Sequence, residues 1–94
     1  MPRKKRDVRS ALEKKGFSAR EGHHHYFCYH DLKGARTKVF TKISHSSKND
    51  LDDNLLGRMA RQCKLPRADF DRLIECPMDH DEYDTILRQA GNIS

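Results

Sequence analysis

The spacing of apolar residues changes period twice along the chain, and each change marks a new kind of element. Val8, Ala11, Leu12 and Lys15 recur at i, i+3, i+4 and i+7, and the stem of Lys15 can lie along the apolar edge of that stripe. This predicts a helix over about Lys4–Lys15, ended by Gly16 in the position that favours a left-handed residue. Phe17 then opens a short extended segment to Arg20, and Glu21-Gly22 reads as a turn. From His23 to His30 the period is two. His24, Tyr26, Cys28 and His30 share one face of the predicted strand, and His25, Phe27 and Tyr29 the other. Asp31–Ala35 predicts a hairpin loop, and Thr37–Ser44 the return strand. On that strand Thr37, Val39, Thr41 and Ile43 face one way and Lys38, Phe40 and Lys42 the other.

Helical spacing then returns. Leu51, Leu55, Met59 and Cys63, with Leu56 and Ala60 beside them, predict a helix over about Asp50–Cys63. Pro66 restarts the chain into a short helix near Arg67–Glu75, with Phe70, Leu73 and Ile74 apolar, and Cys76-Pro77 ends it. Asp79 followed by Glu82 is a capping-box pattern, and the last helix carries Tyr83, Ile86, Leu87 and Ala90 up to Gly91. One helix, three strands and then helices, joined by short connections, predict an α+β fold: a three-stranded antiparallel sheet packed against helices in a single domain over residues 1–94. Val8, Leu12, Val39, Ile43, Leu55, Met59, Ile86 and Leu87 are its expected core.

Charge divides the chain. Residues 1–50 hold 13 Lys/Arg against 5 Asp/Glu, a balance of +8; residues 51–94 hold 6 against 9, a balance of −3, which together make the net +5. A basic half suits a polyanion. Arg3, Lys4, Lys5, Arg6, Arg9, Lys14, Arg20, Lys33, Arg36, Lys38 and Lys42 are the candidate RNA-facing cations, and a solvated helix face is the alternative for some of them. The three cysteines, Cys28, Cys63 and Cys76, form no CxxC, and no apolar run follows Pro2–Arg6 or reaches membrane-spanning length, so a cytoplasmic protein with reduced thiols and no membrane association is expected.

The candidate chemistry lies in Gly22-His23-His24-His25-Tyr26-Phe27-Cys28-Tyr29-His30. Histidine moves protons near neutral pH, and Tyr26 and Phe40 are candidates either for stacking on bases or for the core. His23, His25, His30, His45 and Cys28 lack the C-x-x-C or H-x3-H spacing of a zinc site, so neither a metal nor another cofactor is expected.

Three pieces resemble the HicA (YcfA-like) toxin family. They are Leu12-Glu13-Lys14-Lys15-Gly16-Phe17 followed by Gly22-His23-His24-His25-Tyr26, the segment Ile43-Ser44-His45, and the closing run Ile86-Leu87-Arg88-Gln89-Ala90-Gly91. The resemblance implies a fold like that of double-stranded-RNA-binding domains (α-β-β-β-α), ribosome-independent mRNA cleavage, and a HicB-like antitoxin as partner; the chain has no obvious carboxylate cluster for a two-metal nuclease, so a metal-independent route is expected. It implies His24 as the proton-transfer residue; His45 is the second choice. His23 stands where the family has serine, and about 51–78 reads as a helical insertion before the closing helix. Two other functions suit the same residues: a non-catalytic RNA-binding module, and a metal-binding or protein-interaction domain.

Overall fold

The computed structural model describes residues 3–22, 24–44, 50–75 and 77–93. The elements run β1 (Arg3–Lys4), α1 (Lys5–Lys14), β2 (Phe17–Glu21), β3 (His24–His30), β4 (Arg36–Ser44), β5 (Asp50–Leu51), α2 (Asp53–Gln62), α3 (Arg67–Glu75) and α4 (His80–Gln89). The fold is α+β. β2, β3 and β4 form an antiparallel sheet in that order, and the four helices accompany it. A two-residue ladder of β1 with β5 was not legible in the sequence; Arg3 pairs with Leu51 and Lys4 with Asp50. It takes Asp50 and Leu51 out of the expected helix, so α2 starts later, with Asp52 as its N-cap accepting the Leu55 N–H at 2.9 Å.

One face of the sheet faces the helices. Phe27, Tyr29, Val39 and Ile43 join Val8, Leu12, Leu56, Met59, Phe70, Leu73, Tyr83 and Leu87 in a single core cluster. Residues of α2 and α3 therefore pack into the same core as the sheet. Of the expected core residues, Leu55 and Ile86 are only partly buried and lie at its rim.

Two charged side chains are buried in ways their sequence neighbours do not announce. Lys15 is only 6% exposed, and its ammonium donates to the carbonyls of Leu73, at 3.1 Å, and Met78, near the C-terminal end of α3. Cation and carbonyls are complementary there, because the last helical C=O groups lack partners within the helix. Asp84 accepts from the Tyr29 hydroxyl (2.7 Å), the Leu32 N–H (3.3 Å) and Arg88 Nε (2.6 Å), while Arg88 also reaches Asp31 at 3.4 Å. This network clamps α4 to the β3–β4 hairpin. Burial alone would push the Asp84 carboxyl up; Tyr29 and Arg88 outweigh it and hold it below the usual carboxylate range. The Tyr29 hydroxyl is raised by burial first and then by Asp84.

Gly16 is the glycine the fold requires most. Its φ is +99°, and a Cβ there would come 2.5 Å from His80 Nε2 and 2.9 Å from the His30 carbonyl oxygen. Asp79 caps α4 as expected, accepting the Glu82 N–H at 2.8 Å. The Glu82 side chain meets Arg72 at 2.9 Å.

Between the pairs Cys28–Phe40 and His30–Arg36, β3 advances two residues and β4 four. The Thr37 hydroxyl donates to the Tyr29 carbonyl at 2.9 Å inside this irregular stretch. Among the described residues no helix is long and apolar enough to cross a membrane.

Candidate functional site

Alternation sends the even-numbered residues of β2, β3 and β4 to the face opposite the core. In register, His24 pairs with Ser44. The next rows are Arg20–Tyr26–Lys42 and Ser18–Cys28–Phe40, and His30 pairs with Arg36. Phe40 is 45% exposed, and Lys38 and Lys42 on either side of it are also exposed. None of these rows contains Asp or Glu. Arg20, Arg36, Lys38 and Lys42 therefore stand on one surface with no carboxylate partner among the described residues. Such a surface attracts phosphate. A groove of about 590 Å³ lies across it, lined by Arg20, Tyr26, Cys28, Arg36, Lys38 and Phe40 together with Thr37.

The described histidines divide into three that are tied and one that is not. His25, on the core-facing side, meets the Glu21 carboxylate through Nδ1 at 2.5 Å, and Glu21 also lies 3.8 Å from Arg9. His30 Nδ1 faces the Gly34 carbonyl at 3.3 Å, so it carries the proton, and Nε2 accepts from the Ser18 hydroxyl at 2.9 Å. His80 Nε2 donates to the His30 carbonyl at 3.2 Å, and its ring sits edge-on to Tyr29. His24 is different. Its ring stands edge-on to Tyr26 with centroids 5.9 Å apart, and its buried Nδ1 has no hydrogen-bond partner among the described residues. Leaving such an atom unsatisfied costs about 1–3 kcal/mol, and a half-turn about χ2 would exchange it with the opposite ring edge.

The remaining predicted cations separate. Lys4, Lys5, Arg6 and Arg9 line a second concavity with Asp50, at the start of α1. Arg9 also lies over the Phe27 ring, 5.7 Å from its centroid. Arg3 is engaged inside the fold, with Asp71 at 3.3 Å and Glu75 at 2.9 Å. Lys14 and Lys33 are exposed, on α1 and in the hairpin loop. His45, the second-choice proton-transfer residue, lies outside the described residues, as do His23 and Cys76.

Among the described residues no three His, Cys, Asp or Glu side chains converge; Cys28 and His30 share the outer face, and His25 is turned away from them. Cys63 is fully buried, and burial pushes its thiol up to about 12, which leaves it protonated and unreactive at neutral pH. The Ser18–His30 pair was not expected from the sequence. Its signal was available: Phe17 faces the core, so a strand continuing from it must turn Ser18 outward.

No family model, curated protein or solved structure was found to match the chain.

Proposed function

We propose that the chain is an RNA-cleaving protein of the HicA-like kind, a metal-independent endoribonuclease that holds RNA on the outer face of its sheet and uses His24 for proton transfer. One observation carries this reading. His24 is the described histidine whose Nδ1 has no hydrogen-bond partner among the described residues, and it sits on the same face as Arg20 and Lys42, one cross-strand row away from them.

The chemistry follows from that placement. The 2′-hydroxyl of the RNA attacks the adjacent phosphorus, and its proton passes to the neutral imidazole of His24. The new 2′-O–P bond forms as the P–O5′ bond breaks, and the leaving O5′ takes a proton from the imidazolium or from water. Arg20 and Lys42 stand where they can hold the phosphate and oppose the charge that develops on it. On this reading a HicB-like antitoxin silences the protein by covering His24.

The test is single-turnover cleavage of a defined RNA in the presence of EDTA. His24→Ala is expected to lower the rate by about 10²–10⁴-fold and to leave folding and RNA affinity close to the parent's. His24→Gln, which cannot exchange a proton at neutral pH, should fail as well. A folded His24→Ala protein that cleaves like the parent removes His24 from the mechanism. Binding without cleavage has its own support in the four outward cations, which need no reaction to be useful; a parent protein that binds RNA and cuts none establishes that reading instead.

A further inference from the structure

We infer that the RNA this face accepts is single-stranded, with separate unstacked bases laid on Phe40 and Tyr26 and its backbone held by Arg20, Arg36 and Lys38. The inference deepens the RNA reading above by naming the form of nucleic acid, and it rests on that reading only for the polymer's identity.

The two rings carry the argument. Phe40 is nearly half exposed on a strand whose alternate residues are fully buried, so its ring contributes little to the core. Tyr26 lies diagonally across the pairing, with ring centroids 6.5 Å apart and planes 51° apart. Bases in one continuous stack lie parallel. Ring planes 51° apart cannot both lie flat against members of such a stack, so each ring must take its own base, splayed from the next.

A duplex has no such bases to give. Its base faces are occupied by their neighbours, and an A-form helix presents phosphates, 2′-hydroxyls and a shallow groove. Aromatic faces set in a cationic groove are what an unpaired strand can use, because every base has a π-face and every nucleotide a phosphate. The cluster at the start of α1 offers charge without an exposed aromatic among Lys4, Lys5, Arg6, Arg9 and Asp50. That cluster, not the sheet face, has the chemistry of a duplex contact.

The experiment uses the full chain carrying His24→Ala, so that RNA survives the titration. A labelled strand of about 12 nucleotides and the same sequence as a duplex are titrated by fluorescence anisotropy. The single strand is expected to bind at least about tenfold more tightly, and adding Phe40→Ala should weaken it by about tenfold while leaving the duplex unchanged. Phe40→Trp should keep the single-strand affinity. Equal or tighter duplex binding overturns the inference, and so does single-strand affinity that survives both Phe40→Ala and Tyr26→Ala. The result separates from that of the cleavage reading. Phe40-dependent binding with no cleavage by the parent removes the chemistry and keeps the single strand; cleavage that ignores Phe40 does the reverse.

Discussion

The two faces of the β3–β4 hairpin are made of alternate residues on the same backbone, yet they carry opposite kinds of polar group. Toward the helices, Phe27, Tyr29, Val39, Thr41 and Ile43 are no more than 3% exposed, and their polar atoms are answered: Tyr29 by Asp84, and Thr41 by Gln62 at 2.7 Å. Away from the helices, Phe40 is open, and among the described residues the cations face no carboxylate and His24 Nδ1 has no hydrogen-bond partner. Hydrogen-bonding and charge capacity left unused by folding is therefore concentrated on one side. Stability and interaction are separated by residue parity, so neighbouring substitutions should affect different measurements.

The largest expected effect tests that separation directly. Phe27→Ala should cost about 3–5 kcal/mol in urea unfolding, whereas Phe40→Ala should stay within about 0.5 kcal/mol of the parent. Comparable losses at the two positions would break the contrast. Next is the clamp between α4 and the hairpin. Asp84→Ala should cost about 3 kcal/mol, because it leaves the buried Tyr29 hydroxyl without its acceptor. The same carboxylate sets a pH dependence. Its folded pKa is depressed, so its contribution is complete above the ordinary carboxylate value of about 3.9 and is lost as pH falls through the lower folded value. Asp31 acts in the same direction, held down chiefly by the Ala35 N–H. Thermal unfolding followed from neutral pH to below about pH 4 should therefore show a steeper loss for the parent than for Asp84→Asn. The smallest effect belongs to the outer face: Lys42→Gln should leave the urea midpoint nearly unchanged while reducing the slope of log affinity for RNA against log salt by about one.

The elements were legible where local chemistry decides them. Period-two alternation placed Phe27 and Tyr29 together and Lys38, Phe40 and Lys42 together, and the structure keeps both groupings. The Asp79 cap and the bounds of α3 also follow from neighbours within a few residues. What was not legible depends on distant arrivals. The β1–β5 ladder needs Arg3 beside Leu51, and no pattern within either dipeptide announces it. Lys15 belongs to a helical stripe in sequence, but its burial depends on carbonyls contributed by Leu73 and Met78. Asp84 sits in an ordinary charged turn of α4 until Tyr29 and Arg88 close on it. At the candidate site, the histidine cluster was visible, but the distinction between His24 and its tied neighbours rests on partners from other strands and loops.

The irregular pairing near the hairpin loop constrains how this chain can change length. β4 exceeds β3 there by two residues, and the side-chain repeat of a strand is also two. An even excess leaves both arms in phase, so Arg36 and Phe40 can share a face across the irregularity. Removing one residue between them would put the arms out of phase and force either Arg36 inward or Phe40 and Lys42 onto the packed side. Removing two would restore a plain ladder with both groupings intact. Homologous chains should accordingly vary in this stretch by pairs of residues, and a single deletion should be harder to tolerate than a double one.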